Sequence, residues 1–151
     1  MKRTDKRLKV CTFLLICNLA FIWGNSLLPA EISQAFSDWV KEILLGLISD
    51  SDPSEGGSGV LRKIAHFTEF SALGFLLSWR FGMLGRGKLP AFVCGAAAAC
   101  MDETIQMFVP ERGPGILDVL LDCSGVLTGM VLLHIGHTYC KKKTIQNHSE
   151  E

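Results

Sequence analysis

Residues 62–84 read RKIAHFTEFSALGFLLSWRFGML. Arg62, Lys63, His66 and Glu69 crowd the first third, and Arg80 is the single ionisable residue after them. At about 1.5 Å rise per residue, a helix of this length crosses a hydrocarbon core of about 30 Å. Ionisable groups are expensive in a bilayer and normally face a bundle interior or a wet cavity. The stretch therefore predicts a membrane helix with one polar end.

The same asymmetry recurs along the chain. The apolar segment 89–109 closes on Asp102, Glu103 and Gln106, and the segment 116–140 opens on Asp118 and Asp122. Successive spans alternate in direction, so these polar groups gather at one interface on three helices. Together with an apolar run at 8–28, the pattern predicts one all-α domain over 1–151. It has four transmembrane helices, roughly 8–28, 61–84, 89–109 and 116–140. A water-soluble bundle would need polar helix faces, and these segments show little of one outside the cluster. Residues 8–28 are too long for a signal-peptide core of about 7–15 residues and lack a small-residue cleavage site, so they read as a retained span.

Formal net charge is zero, but its sign is segregated. Lys2, Arg3, Lys6, Arg7 and Lys9 precede the first span. Arg80, Arg86 and Lys88 flank the second connection, and Lys141, Lys142 and Lys143 follow the fourth span. Most of the 15 cations thus lie on one side. The positive-inside rule places that side and both termini in the cytoplasm, and the polar cluster outside. The localisation expected is a cell membrane, multi-pass. The basic tails suit an anionic inner leaflet and are too short to argue for nucleic acid. The six cysteines are scattered through apolar segments without a CxxC pair, as small packing residues are.

Residues 31–49 place Ile32, Phe36, Trp39, Val40, Ile43, Leu44 and Leu47 at helical spacing, with Ser33, Asp38, Lys41 and Glu42 filling the other face. This predicts an amphipathic helix in the outer interface, or packed on top of the bundle. The segment 50–59 is acidic and Gly/Ser-rich, as an outer loop is, and 109–115 (VPERGPG) is rich in turn formers. Residues 146–151 read as a disordered polar tail. Gly125 and Gly129 form a GxxxG spacing, which allows close helix approach within the chain or in a homodimer.

A helix turns about 100° per residue. Arg62, Lys63, His66, Glu69, Phe70 and Leu73 then share one face, as do Asp102 and Gln106 with Gly95 and Ala98, and Asp118 and Asp122 with Gly125 and Gly129. The candidate ligand-binding set is Arg62, Lys63, His66, Glu69, Asp102, Glu103, Gln106, Arg112, Asp118 and Asp122. A network that merely holds helices together is the plain alternative. Buried ion pairs seldom repay their desolvation, so many of them make a costly scaffold. The cations suit an anionic headgroup, which Arg binds in bidentate fashion. The partners this implies are the bilayer and a lipid or lipid-linked ligand. His66, Glu69, Asp118 and Asp122 are candidate ligands for a divalent metal, since carboxylate and imidazole suit several ions. Whether the site binds, acts as an enzyme on a lipid-linked substrate, or belongs to a small transporter or flippase stays open, and Ser26 and Ser71 show no catalytic pairing.

At these residues the chain resembles the VanZ-like family of small bacterial membrane proteins. The resemblance covers about 21–133. It is carried by RKIAHFTEF at 62–70, DETIQMFVP at 102–110, Arg112, and DVLLD at 118–122 followed by Gly125. Asn25-Ser26-Leu27-Leu28-Pro29 also matches the family's usual ending of its first span. Two positions depart from the pattern: Phe70 stands where Tyr is frequent, and Asp122 where Asn is frequent. The resemblance implies a role in teicoplanin-type glycopeptide resistance in the Gram-positive cell envelope, without a settled mechanism.

Overall fold

A computed structural model describes residues 2–29, 35, 57–110 and 115–149. The described residues are helical, with no strand among them: α1 Lys2–Ser26, α2 Gly57–Met83, α3 Lys88–Gln106 and α4 Ile116–Ser149. The helix expected at 31–49 lies outside the described residues, apart from Ala35.

Several boundaries differ from expectation. The helix α2 begins at Gly57, inside the segment 50–59 expected to be loop. Glycine costs a helix about 1 kcal/mol per residue, which an element of 27 residues absorbs. The helix α4 continues to Ser149, through much of the tail expected to be disordered. Between Gly136 and Ser149 there is no Gly or Pro to stop it, and Lys and Gln favour helix. By contrast α3 ends at Gln106, short of 109. Pro110 disfavours helical geometry at Val109, and the chain leaves through turns closed by Phe108 N–H to Ile105 O and Val109 N–H to Gln106 O, each 3.1 Å.

The α2–α3 connection is a tight turn. Gly85 sits at φ 66°, Arg86 N–H donates to Phe81 O at 2.9 Å and Gly85 N–H to Gly82 O at 3.1 Å. This paired closure is the Schellman motif, in which the left-handed residue carries no Cβ penalty when it is Gly.

The helices pack as a bundle in which α2 meets α1, α3 and α4, and α3 also meets α1 and α4. The α2–α4 seam is the closest. A Cβ on Gly125 would come within 2.7 Å of Phe67 O, while one on Gly129 would collide with Ser71 O and one on Gly74 with Val126 O. The glycines at 125 and 129 thus seat α4 on α2 of the same chain. The core between the helices is built from Cys11, Ile22, Phe70, Leu73, Ala99 and Val126, among others.

Large apolar side chains also cover the outside. Phe13, Ile16 and Phe21 on α1, and Leu120, Leu127, Val131 and Ile135 on α4, are exposed. Water-soluble monomers rarely expose contiguous apolar patches beyond a few hundred Å². Two of the helices, over Thr4–Ser26 and Ile116–Lys143, are long and apolar enough to cross a membrane. Less than a quarter of the apolar window in either is buried inside the protein (17% and 22%), unlike the core helix of a soluble fold.

Candidate functional site

The end of α1, the start of α2, the end of α3 and the start of α4 come together, and the polar residues sit there. Asp102 is the centre. It is fully buried, and its carboxylate accepts from Ser26 Oγ at 2.6 Å and from Gln106 Nε2 at 2.7 Å. The Gln106 amide also donates to Ser26 Oγ at 3.3 Å. His66 Nδ1 lies 3.8 Å from Asp102 Oδ2. One carboxylate therefore links α1, α2 and α3, its lone pairs satisfied by polar neighbours as burial demands.

Asp122 enters from α4 and is 2% exposed, and its Oδ1 is buried without a hydrogen-bond partner. His66, Asp102 and Asp122 each offer a ligand atom within 4.8 Å of the others. Of the expected metal candidates, then, His66 and Asp122 converge, and Asp102 joins them rather than Glu69 or Asp118. Two buried carboxylates this close cannot both stay charged without compensation, so at least one is neutralised by a proton or by a cation, because an unpaired buried charge is heavily penalised.

A cavity of about 20 Å³ lies against this group, lined by Arg62, Lys63, His66, Glu103, Gln106 and Asp118, together with Leu121 and Asp122. That is room for about one water or a bare ion, since one water needs roughly 10–15 Å³ on the same measure. At the rim Lys63 Nζ is 3.9 Å from Asp118 Oδ1, both side chains well solvated at 57% and 39% exposure. Glu103 is buried and accepts the Gly115 backbone N–H at 3.0 Å. It thereby serves an N–H at the start of α4 that has no partner within its own helix.

The remaining expected residues fall elsewhere. Glu69 does not line this cavity; its Oε1 accepts from Asn25 Nδ2 at 3.3 Å, and its Oε2 is buried without a partner. Arg112 lies outside the described residues. Phe70 is buried in the core, 3.2 Å from a Cβ placed on Gly125, rather than lining the cavity. Asn25 and Ser26 were absent from the expected set. Their signal was two adjacent polar residues at the foot of an apolar span.

Among the described residues, geometry and surface thus define an all-helical bundle, with helices suited to a membrane and a buried His–carboxylate group at one end. A family model described as VanZ/LLP1 matches residues 11–137, and the chain belongs to that family. The matched stretch reaches into all four described helices. No curated protein and no solved structure matches the chain.

Proposed function

We propose that the chain is a single-domain, four-span protein of the bacterial cell membrane. Both termini are cytoplasmic, and the polar end of the bundle opens outward. There it engages a lipid, a lipid-linked cell-wall precursor or an amphipathic lipoglycopeptide, and so contributes to teicoplanin-type resistance.

The observation that carries this reading is the gathering of Arg62, Lys63, His66, Gln106, Asp118 and Asp122 around one cavity. The enclosed space is too small for a whole headgroup. The ligand's anionic group is instead held at the rim by Arg62 and Lys63, the latter well exposed, while the buried acids below fix the rim in place. Charge-assisted contacts of this kind are the strong ones for phosphate and carboxylate. The resistance role rests on membership of the VanZ/LLP1 family.

Expression in a sensitive Gram-positive host should raise the inhibitory concentration of teicoplanin-type lipoglycopeptides, and a combined Arg62→Gln and Lys63→Gln variant should abolish the rise. An unchanged inhibitory concentration with the native protein would contradict the proposal.

A second reading has its own observation. The His66–Asp102–Asp122 group offers nitrogen and oxygen ligands close together, and His66 and Asp122 also line a cavity of ion size. A divalent cation there would neutralise the buried acids and supply Lewis acidity to an intramembrane enzyme acting on a lipid-linked substrate. Elemental analysis of purified protein, with turnover assays on lipid-linked substrates, separates this reading from simple binding.

A further inference from the structure

At the opposite end of the bundle, a cavity of about 610 Å³ opens between the start of α1, the end of α2, the α2–α3 turn and the second half of α4. Most of α1, roughly 28 Å of helix at about 1.5 Å per residue, separates Arg7 at this cavity from Ser26 at the polar site. The two sites are therefore distinct.

The polar lining is basic. Arg7 comes from α1, Arg86 from the α2–α3 turn, Lys88 from the start of α3, and His134 and His137 from α4. Among the described residues, no carboxylate lines the cavity. The acid closest in sequence to Arg7, Asp5, pairs with Lys9 at 3.7 Å. Ser78 also lines the cavity, and its Oγ is buried without a hydrogen-bond partner. Trp79, Met83, Met130 and Leu133 supply an apolar wall beside these groups.

We propose that this cavity binds the phosphate headgroup of an anionic phospholipid drawn from the leaflet on the basic side. Arg86 and Lys88 pair with the phosphate, the Ser78 hydroxyl donates to it, and the methionines and Leu133 cover the glycerol and upper acyl chain. Three cations without a lining acid give the site its preference for negative charge. The apolar wall gives it a preference for lipid over free phosphate, which would leave that wall wet. The site needs the chain to lie in a membrane but not the outward ligand proposed above, so either can fail alone.

The test uses the full chain in detergent, with thermal unfolding followed during titration by phosphatidylglycerol, phosphatidylcholine or inorganic phosphate. Phosphatidylglycerol should stabilise the native protein more than phosphatidylcholine does. Arg86→Gln with Lys88→Gln should weaken its apparent affinity roughly tenfold or more, since each cation near a membrane surface contributes about fivefold. Lys141→Gln with Lys143→Gln removes two exposed charges outside the cavity lining and should leave the affinity in place. Three results would each overturn the proposal: equal responses to the two lipids, inorganic phosphate alone reproducing the effect, or the Lys141/Lys143 pair causing the same loss.

Discussion

The Ser26 hydroxyl donates to the Asp102 carboxylate at 2.6 Å, joining residues 76 positions apart, and both are fully buried. Through this bond the first helix becomes part of the polar site instead of a mere anchor. Ser26→Ala leaves Asp102 short of one donor, and an unsatisfied buried acceptor costs about 1–3 kcal/mol. The variant should unfold at lower temperature in detergent, and Ser26→Thr, which keeps the hydroxyl, should recover part of the loss.

Asp122 presents the opposite case, a buried carboxylate oxygen with no donor. Asp122→Asn keeps the volume and removes the charge, so stability in chelator should be unchanged or higher. If a cation occupies the group, native protein should gain stability from added Mn²⁺ or Zn²⁺, by about 2.7 kcal/mol at a hundredfold excess over Kd. The Asn variant should lose that gain. Melting curves with and without metal decide it.

The Lys63–Asp118 pair is a rim feature and contributes little to folding. Exposed ion pairs are worth about 0–1 kcal/mol, and these side chains are 57% and 39% exposed. Lys63→Gln should therefore melt within a degree or two of the native protein while lowering resistance in the host. A large loss of stability would show that the lysine holds the bundle together instead.

The α2–α4 seam gives a contrast between glycines on one helix. A side chain on Gly129 meets the Ser71 carbonyl, whereas one on Gly136 meets nothing within 4 Å. Gly129→Ala should destabilise by about 1–3 kcal/mol through overpacking. Gly136→Ala should be neutral or stabilising by up to about 1 kcal/mol, from helix propensity. Equal effects on denaturation would mean the seam is not where the helices are held.

Much of this was legible in the sequence. Periodicity alone placed His66 with the start of α2, and aligned Asp122 with Gly125 and Gly129, because helical geometry fixes which residues share a face. It could not say which faces meet. Glu69 and His66 are one turn apart, yet Glu69 turns to Asn25 while His66 meets Asp102 from another helix. Ser26 reads in the sequence only as part of the first span's ending and as a serine without a catalytic pairing, for the same reason: its significance lies in a contact far along the chain. The cations at Arg7, Arg86 and Lys88 read only as signals of orientation, since the cavity they line exists only once α1, α2 and α4 are assembled. Helix ends were the least legible, as at Gly57 and Ser149, where local propensity and the whole helix pull in different directions.

The central claim is that the polar end of this bundle is open to the outside. The most direct measurement introduces Lys63→Cys, Asp118→Cys or Lys142→Cys singly into a cysteine-free chain, then treats intact cells with a membrane-impermeant maleimide. Positions 63 and 118 should label in intact cells, and position 142 only after permeabilisation. Labelling at 142 from outside, with 63 and 118 protected until the membrane is breached, would contradict the account.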